Sequence, residues 1–346
     1  MKITNILTSR AFERNPNYHL IYEWEEDFAC ALSVPIINAK PLHRKIAINR
    51  YTKPILNLIN KRALEKTNNI FNSSGFKYYS KGYSFVFELY VVKEPDFASS
   101  EKSIPLMIDF WKHTDLQNFY EVYRNCKLIL ISSLEAFNFL KLRDCPLPIA
   151  HLGLSLSDRY RLYETTVYEK KYDILLAGRL NIRTNQVLRN YLNEFILKFP
   201  NTEYLYQEEI KGEYYYVSNK KGVIGKFQTR EDYINLLRAS KISFYSTPGI
   251  DGGEARTGGF NPVTPRYLEL LSAQCLLIGK YPINEETEYY ELNRVCPNVN
   301  AYDEFEKVLI TYLNESNPSF QVHREILDKH YTSQRAQQLL DIIQVY

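Results

Sequence analysis

The strongest constraint on the fold is a repeated alternation of short apolar runs with amphipathic ones. "SIPLMIDFW" (103–111) has the length and apolar content of a buried strand, and "NFYEVYRNC" after it has helical spacing. "KLILISS" (127–133) and "LEAFNFLKL" repeat the pair, and "LIYEWEEDFACALS" (20–33), behind the strand-like "ITNILTS", carries apolar residues on one helical face. After about residue 160 the pattern restarts, with a strand in "KKYDILLAGRLN" (170–181) and a helix in "NQVLRNYLNEFILKFP" (185–200). "EYLYQ" and "GVIGKF" are strand candidates, and "TREDYINLLRASK" (229–241) is a helix that Thr229 and Asp232 can cap as a box. "ISFYSTP" (242–248) is a strand, and 302–315 and 333–346 are the last helices. Alternation of this kind builds parallel sheets covered on both faces. A length of 346 residues exceeds one core, so two doubly wound α/β domains are expected, joined near residues 155–168. Residues 34–100 are less regular and give no order of elements.

Composition narrows the functional classes. Lys and Arg total 43 against 40 Asp and Glu, and a net charge of +3 is too small for a general nucleic-acid binder. The 29 tyrosines suit stacking on sugars or bases, but a low-G+C coding bias accounts for them as well and is preferred. The first twenty residues lack the apolar core of an export signal, and no apolar run reaches the ~18–20 residues of a membrane span. Five scattered cysteines without a CxxC pair are expected to be free thiols in a reducing compartment. A soluble cytoplasmic protein is the expectation.

Ligands of open α/β sheets sit beyond the carboxyl ends of the strands. That rule selects the turns after strands 174–178, 242–248, 275–279 and 104–109. They contain Arg179 and Arg183, the stretch Gly249 to Arg266, Lys280, and "IDFWKHTD" (108–115). Guanidinium forks suit a diphosphate through paired, charge-assisted hydrogen bonds, and solvated surface positions are the plain alternative for both arginines. "GGFNPVTPRYLELLSAQCLLIG" (258–279) leads a glycine- and proline-rich loop into a helix near Thr264, whose N-terminus favours an anion. Arg266 and Glu269 lie three apart on that helix. They form either a surface ion pair worth ~0.2–0.5 kcal/mol or a phosphate contact followed by a carboxylate for a vicinal diol. On the opposite side Asp109 or His113 can act as a general base. A purely structural place at the strand end stays open for both, and Glu13, Glu23 and His151 are weaker options. No Asp-x-Asp and no Gly-x-Gly-x-x-Gly occurs, so neither a bound metal nor a dinucleotide cofactor is expected.

The order of "LLAGRL…R", "TREDYINLLRASKISFYSTP" and "TPRYLELLSAQCLLIG" resembles the donor half of a GT-B glycosyltransferase of the group-1, bacterial surface-polysaccharide type. The resemblance implies that Gly178, Arg179 and Arg183 hold the donor diphosphate with Thr264, Pro265 and Arg266, although the second base comes one residue early. It implies a ribose contact at Glu269. The family's glutamate for the donor sugar is replaced here by Asn261, with Glu254 further upstream. "CKLILISSLEAFNFLK" and "IAHLGLS", with its turn at Gly153, resemble the first domain's last strand and the crossing segment, and "HYTSQRAQQLLDII" resembles a helix that returns to the first domain. The similarity spans residues 103–346. It implies two Rossmann-like domains facing a cleft: 1–162 for the acceptor, 163–325 for the donor, and 326–346 packing back on the first. The implied activity is metal-independent transfer of a sugar from a UDP- or GDP-linked donor, with no cofactor beyond that substrate. The implied acceptor is a saccharide or a lipid-linked acceptor in capsule, lipopolysaccharide or O-antigen synthesis, which is compatible with peripheral contact at the inner membrane. A nucleotide-sugar epimerase of the same architecture and a non-catalytic sugar- or nucleotide-binding protein are the alternatives.

Overall fold

A computed structural model of the chain describes residues 1–11, 18–38, 82–91, 101–179, 185–226 and 229–346. The first half holds β1 (Ile3–Thr8), α1 (His19–Leu32), β2 (Ile36–Asn38), β3 (Tyr83–Tyr90), β4 (Ser103–Asp109), α2 (Leu116–Tyr123), β5 (Ile129–Ile131), α3 (Leu134–Leu142) and β6 (Ile149–His151). Its six strands pair in parallel in the order β2-β1-β3-β4-β5-β6. In β4 the continuous apolar run follows from burial on both faces: Ile104, Leu106 and Ile108 join a cluster around Trp24, Phe28, Phe85 and Phe87, while Met107 faces Phe110, Phe119 and Leu140.

The second half runs β7 (Tyr172–Arg179), α4 (Gln186–Lys198), β8 (Tyr204–Ile210), β9 (Glu213–Ser218), β10 (Gly222–Gly225), α5 (Arg230–Arg238), β11 (Ser240–Ser246), α6 (Glu254–Thr257), α7 (Pro265–Ser272), β12 (Leu276–Lys280), α8 (Glu285–Tyr289), α9 (Tyr302–Asn314), α10 (Gln321–Asp328) and α11 (Thr332–Val345). The sheet order is β10-β9-β8-β7-β11-β12. Ile174 and Leu176 of β7 pack under α4 and α9, and Leu175 and Ala177 pack on the opposite face with Leu270 and Leu271 of α7.

This half is not wound throughout as the sequence suggested. β8, β9 and β10 form an antiparallel meander. Lys211 (φ 53°) and Gly212 (φ 80°) make a two-residue turn with both central residues left-handed, the geometry that folds a strand straight back on itself. The remaining strands are parallel, and α5 restores the crossover. Its N-cap is the expected box: Asp232 N–H donates to Thr229 Oγ1 at 3.1 Å, and Thr229 N–H donates to Asp232 Oδ2 at 3.0 Å.

The last helix, α11, buries Ala336, Leu339 and Ile343 in the cluster of Trp24 and Phe28, so the chain's end packs on the first half. The Met1 ammonium donates to the Ile343 carbonyl at 2.8 Å. No helix among the described residues is long and apolar enough to cross a membrane.

Candidate functional site

At the carboxyl edge of the second sheet, the last residue but one of β7 is Gly178 with φ +99°, a left-handed conformation that disfavours any side chain. A Cβ there would also lie 2.7 Å from Nη2 of Arg266 and 2.9 Å from its Cζ. The backbone therefore favours glycine here, and the Arg266 guanidinium lies directly against it. Arg266 follows Pro265, which occupies the first position of α7, and Thr264 is the N-cap. One turn further, Glu269 is only 3% exposed.

Glu269 does not pair with Arg266 at the surface. Its Oε1 accepts from Nη2 of Arg230 at 2.5 Å, and Nε of the same Arg230 donates to Oε2 of Glu23 in α1 at 3.0 Å. Glu23 Oε1 accepts from the Tyr160 hydroxyl at 2.5 Å, and Arg159 Nη1 stands 4.0 Å away. Burial works against charge on Arg230, yet the two carboxylates hold its pKa above the ordinary value. Arg266 behaves alike: burial opposes its charge, and Tyr233 and Glu269 outweigh that. Tyr233 is pushed up by burial and by Glu269, and Tyr216 is pushed up to about 12, chiefly by burial. The result is a cluster of two arginines, two carboxylates and two un-ionised phenols. Arg179 closes β7, but its side chain and all of Arg183 lie outside the described residues.

The loop that looked like an open anion cradle is closed by the protein's own groups. The Thr264 N–H donates to the Tyr245 hydroxyl at 2.8 Å, and Pro265 has no N–H. The Val263 N–H donates to Glu286 at 3.1 Å and the Asn261 N–H to Glu135 at 2.6 Å. Asn261 spends its side chain inside the loop, accepting from Thr247 and donating to the Gly259 carbonyl, both at 2.8 Å. Glu254 is exposed and accepts from the Gly252 N–H at 3.3 Å. The structure thus brings Gly178, Arg266 and Glu269 together, and sets Asn261 and Glu254 in the loop beside them.

Asp109 ends β4, opposite Tyr90 of β3. Burial raises its pKa to about 6, against the pull of Arg256. The exposed His113 lies beside Gly258, and the Lys112 N–H donates to the Thr257 carbonyl at 3.1 Å, so this turn faces the loop of the second half. Arg256 stacks on Trp111, its guanidinium 5.3 Å from the ring centre. His151 sits edge-on to Tyr289 at 5.1 Å, and burial lowers its pKa to about 4. Glu13 lies outside the described residues. Lys280 is half-buried at the end of β12. All five cysteines are free thiols. No group of three His, Cys, Asp or Glu placed to hold a metal ion occurs among the described residues.

Sequence reasoning passed over Arg230, Tyr233 and Tyr216. The rule about strand ends had the means to find Arg230: "GVIGKF" is the strand before α5, and Arg230 is the first residue of the helix behind it. The hairpin that delivers Tyr216 had no comparable signal.

No protein-family model matches the sequence, and no curated protein does. Solved structures do. An E. coli trehalose-6-phosphate protein bound with UDP-2-fluoro glucose aligns over 98% of each chain, with TM-score 0.54 and 10% identity. Sucrose-phosphate synthase from Thermosynechococcus elongatus aligns over 99% of this chain and 98% of its own, with TM-score 0.53 and 8% identity. A pneumococcal O-GlcNAc transferase matches 79% of this chain at TM-score 0.47 and 9% identity, and the chain spans only 59% of its length. The two full-length likenesses show the fold: it is the GT-B architecture of two facing α/β halves that the sequence led us to expect.

Proposed function

We propose that the chain is a glycosyltransferase that takes a sugar from a UDP- or GDP-linked donor and passes it to a saccharide or lipid-linked acceptor in surface-polysaccharide synthesis. The observation that carries this reading is the placement of Arg266 and Glu269, one turn apart on α7, with the guanidinium against the Gly178 turn. A diphosphate at that turn meets Arg266, and the sequence resemblance adds Arg179 and Arg183 to its partners. Glu269, with Oε1 held by Arg230, keeps Oε2 for a ribose hydroxyl. The neighbour bound with UDP-2-fluoro glucose supports a nucleotide-sugar donor. The surface-polysaccharide acceptor rests on the sequence resemblance alone.

Transfer passes through an oxocarbenium-like state and needs charge opposite the departing diphosphate. Guanidiniums fixed in a partly buried site meet that need, at ~3–4 kcal/mol for one well-placed donor. The Thr264 N–H is already engaged by Tyr245, so the arginine side chains carry this role. Asp109, with a pKa near 6, is suited to take the acceptor hydroxyl's proton near neutral pH, and His113 stands four residues further along the same turn.

A thermal-shift panel of nucleotides tests the reading. UDP or GDP at ~100 times its dissociation constant should add ~2.7 kcal/mol of stability, and Arg179→Ala or Arg183→Ala should remove most of that shift. A chain whose melting curve no nucleoside diphosphate moves is not a nucleotide-sugar transferase. Release of UDP or GDP that requires an acceptor separates transfer from epimerisation and from binding alone.

A further inference from the structure

We propose that Arg230 is a positioning residue that couples the orientation of Glu269 to closure of the two halves. The inference rests on the donor-site reading of Glu269. Arg230 opens α5 in the second half, and its fork has two edges in use. Nη2 faces Glu269 of its own half, and Nε faces Glu23, 207 residues away in α1 of the first. The side chains of Glu23, Arg230 and Glu269 are 8%, 16% and 4% exposed, so all three charges are largely out of water.

The Glu23–Arg230–Glu269 ion chain carries two negative charges and one positive; at Glu23 the Arg159 guanidinium adds positive charge and the Tyr160 hydroxyl donates a hydrogen bond. A buried carboxylate stripped of its partner is strongly disfavoured, and water reaches it only if the surrounding surfaces part. Glu23 and Arg230 stand on opposite halves, so the surface that must part is the one between the halves. Glu269 is thus not oriented by α7 alone. Arg230 pins one oxygen and leaves the other for a hydroxyl, and Glu23 aims Arg230. Opening the halves withdraws Glu23, releases the guanidinium and lets the carboxylate turn. Arginine suits this place because its planar fork addresses two carboxylates at once, which a lysine ammonium on a flexible stem does not hold in register.

Calorimetric titration with UDP and with GDP, alongside small-angle scattering of the unliganded protein, tests the coupling in Glu23→Gln, Glu23→Asp, Arg230→Ala, Arg230→Lys and the double variant Glu23→Gln/Arg230→Ala. Glu23→Gln should weaken nucleoside-diphosphate binding about tenfold, ~1.4 kcal/mol, and enlarge the radius of gyration, although Glu23 stands on the half opposite the proposed donor site. Glu23→Asp keeps the charge but shortens the reach, and should show the same two effects if Glu23→Gln does not fold. Arg230→Lys should not rescue Arg230→Ala, and the double variant should bind no worse than Arg230→Ala alone. Unchanged affinity and unchanged scattering in folded Glu23 variants overturn the coupling, and so do additive losses in the double variant. If the wild type binds neither UDP nor GDP, the donor-site reading falls by itself. The scattering comparison then decides the latch: expansion in the Glu23 variants supports it, and an unchanged radius overturns it.

Discussion

The loop after β11 and the N-terminus of α5 both bring the second half of the molecule against the first, but they use different chemistry. The loop inserts the Phe260 ring, 4% exposed, into the first half's apolar cluster, edge-on to Phe139 at 5.2 Å. Its Asn261 and Val263 N–H groups then rest on Glu135 and Glu286, carboxylates from outside the loop. At α5 the junction is one guanidinium between two carboxylates. An apolar plug has no competing partner, because water offers it nothing. An ion chain does have competitors: a ribose hydroxyl, a phosphate or water can each take over one of its hydrogen bonds. The first contact can therefore serve as a pivot, and the second can respond to a ligand.

The largest expected effect breaks the pivot. Phe260→Ala should cost about 3–5 kcal/mol, the usual range for emptying a buried aromatic site, seen as a lower urea midpoint. The Glu23 variants should part the halves with a smaller loss of stability. If Phe260→Ala is no more destabilising than Glu23→Gln, the contrast between plug and latch is lost.

A second effect is smaller and confined to a pH window. Glu286 is 1% exposed and accepts from the Ser133 hydroxyl at 3.0 Å, the Glu135 N–H at 3.1 Å and the Val263 N–H at 3.1 Å. Burial raises its pKa from 4.5 to about 7, against the pull of those donors. A pKa raised in the folded state means that the folded chain binds the proton more tightly than the unfolded chain. The stabilisation is complete below pH 4.5 and fades as pH rises to about 7, by up to about 3 kcal/mol. Denaturation of wild type and Glu286→Gln across pH 4–8 should show the wild type losing ground to the variant over that window. Parallel curves would place the Glu286 proton elsewhere.

The two junctions were not equally legible in the sequence. The alternation of strands and helices could be read because most strands are buried on both faces and appear as unbroken apolar runs. Gly178, Arg266 and Glu269 could be singled out because a strand end and an i, i+3 spacing are local facts. Partners that arrive from afar could not. Arg230 reaches Glu269 across 39 residues and Glu23 across 207, and no local pattern encodes either pairing. The loop misled for the same reason. Its sequence shows backbone N–H groups in need of an anion, but not that Glu135 and Glu286 of the same chain supply it. The β8–β9 hairpin was missed because Lys211–Gly212 is a weak turn signal beside Asn-Gly, and strand and helix read alike in so tyrosine-rich a run.

The smallest effect bears on the latch through its local support. Thr229 caps α5 directly before Arg230, and its hydroxyl accepts the Asp232 N–H at 3.1 Å. Thr229→Ala should cost about 1 kcal/mol of stability, the usual value of such a cap. That loss is too small to open the halves as Phe260→Ala should. Its consequence for nucleotide binding decides how Arg230 is aimed. If the first turn of α5 does the aiming, fraying it should weaken UDP or GDP binding measurably, though less than Glu23→Gln does. If the two carboxylates hold the guanidinium from both sides, stability falls and affinity stays. Calorimetry on Thr229→Ala and Glu23→Gln at one temperature separates these outcomes. The coupling predicts the second, because Glu23 and Glu269 hold the two edges of the guanidinium and the helix end only delivers it.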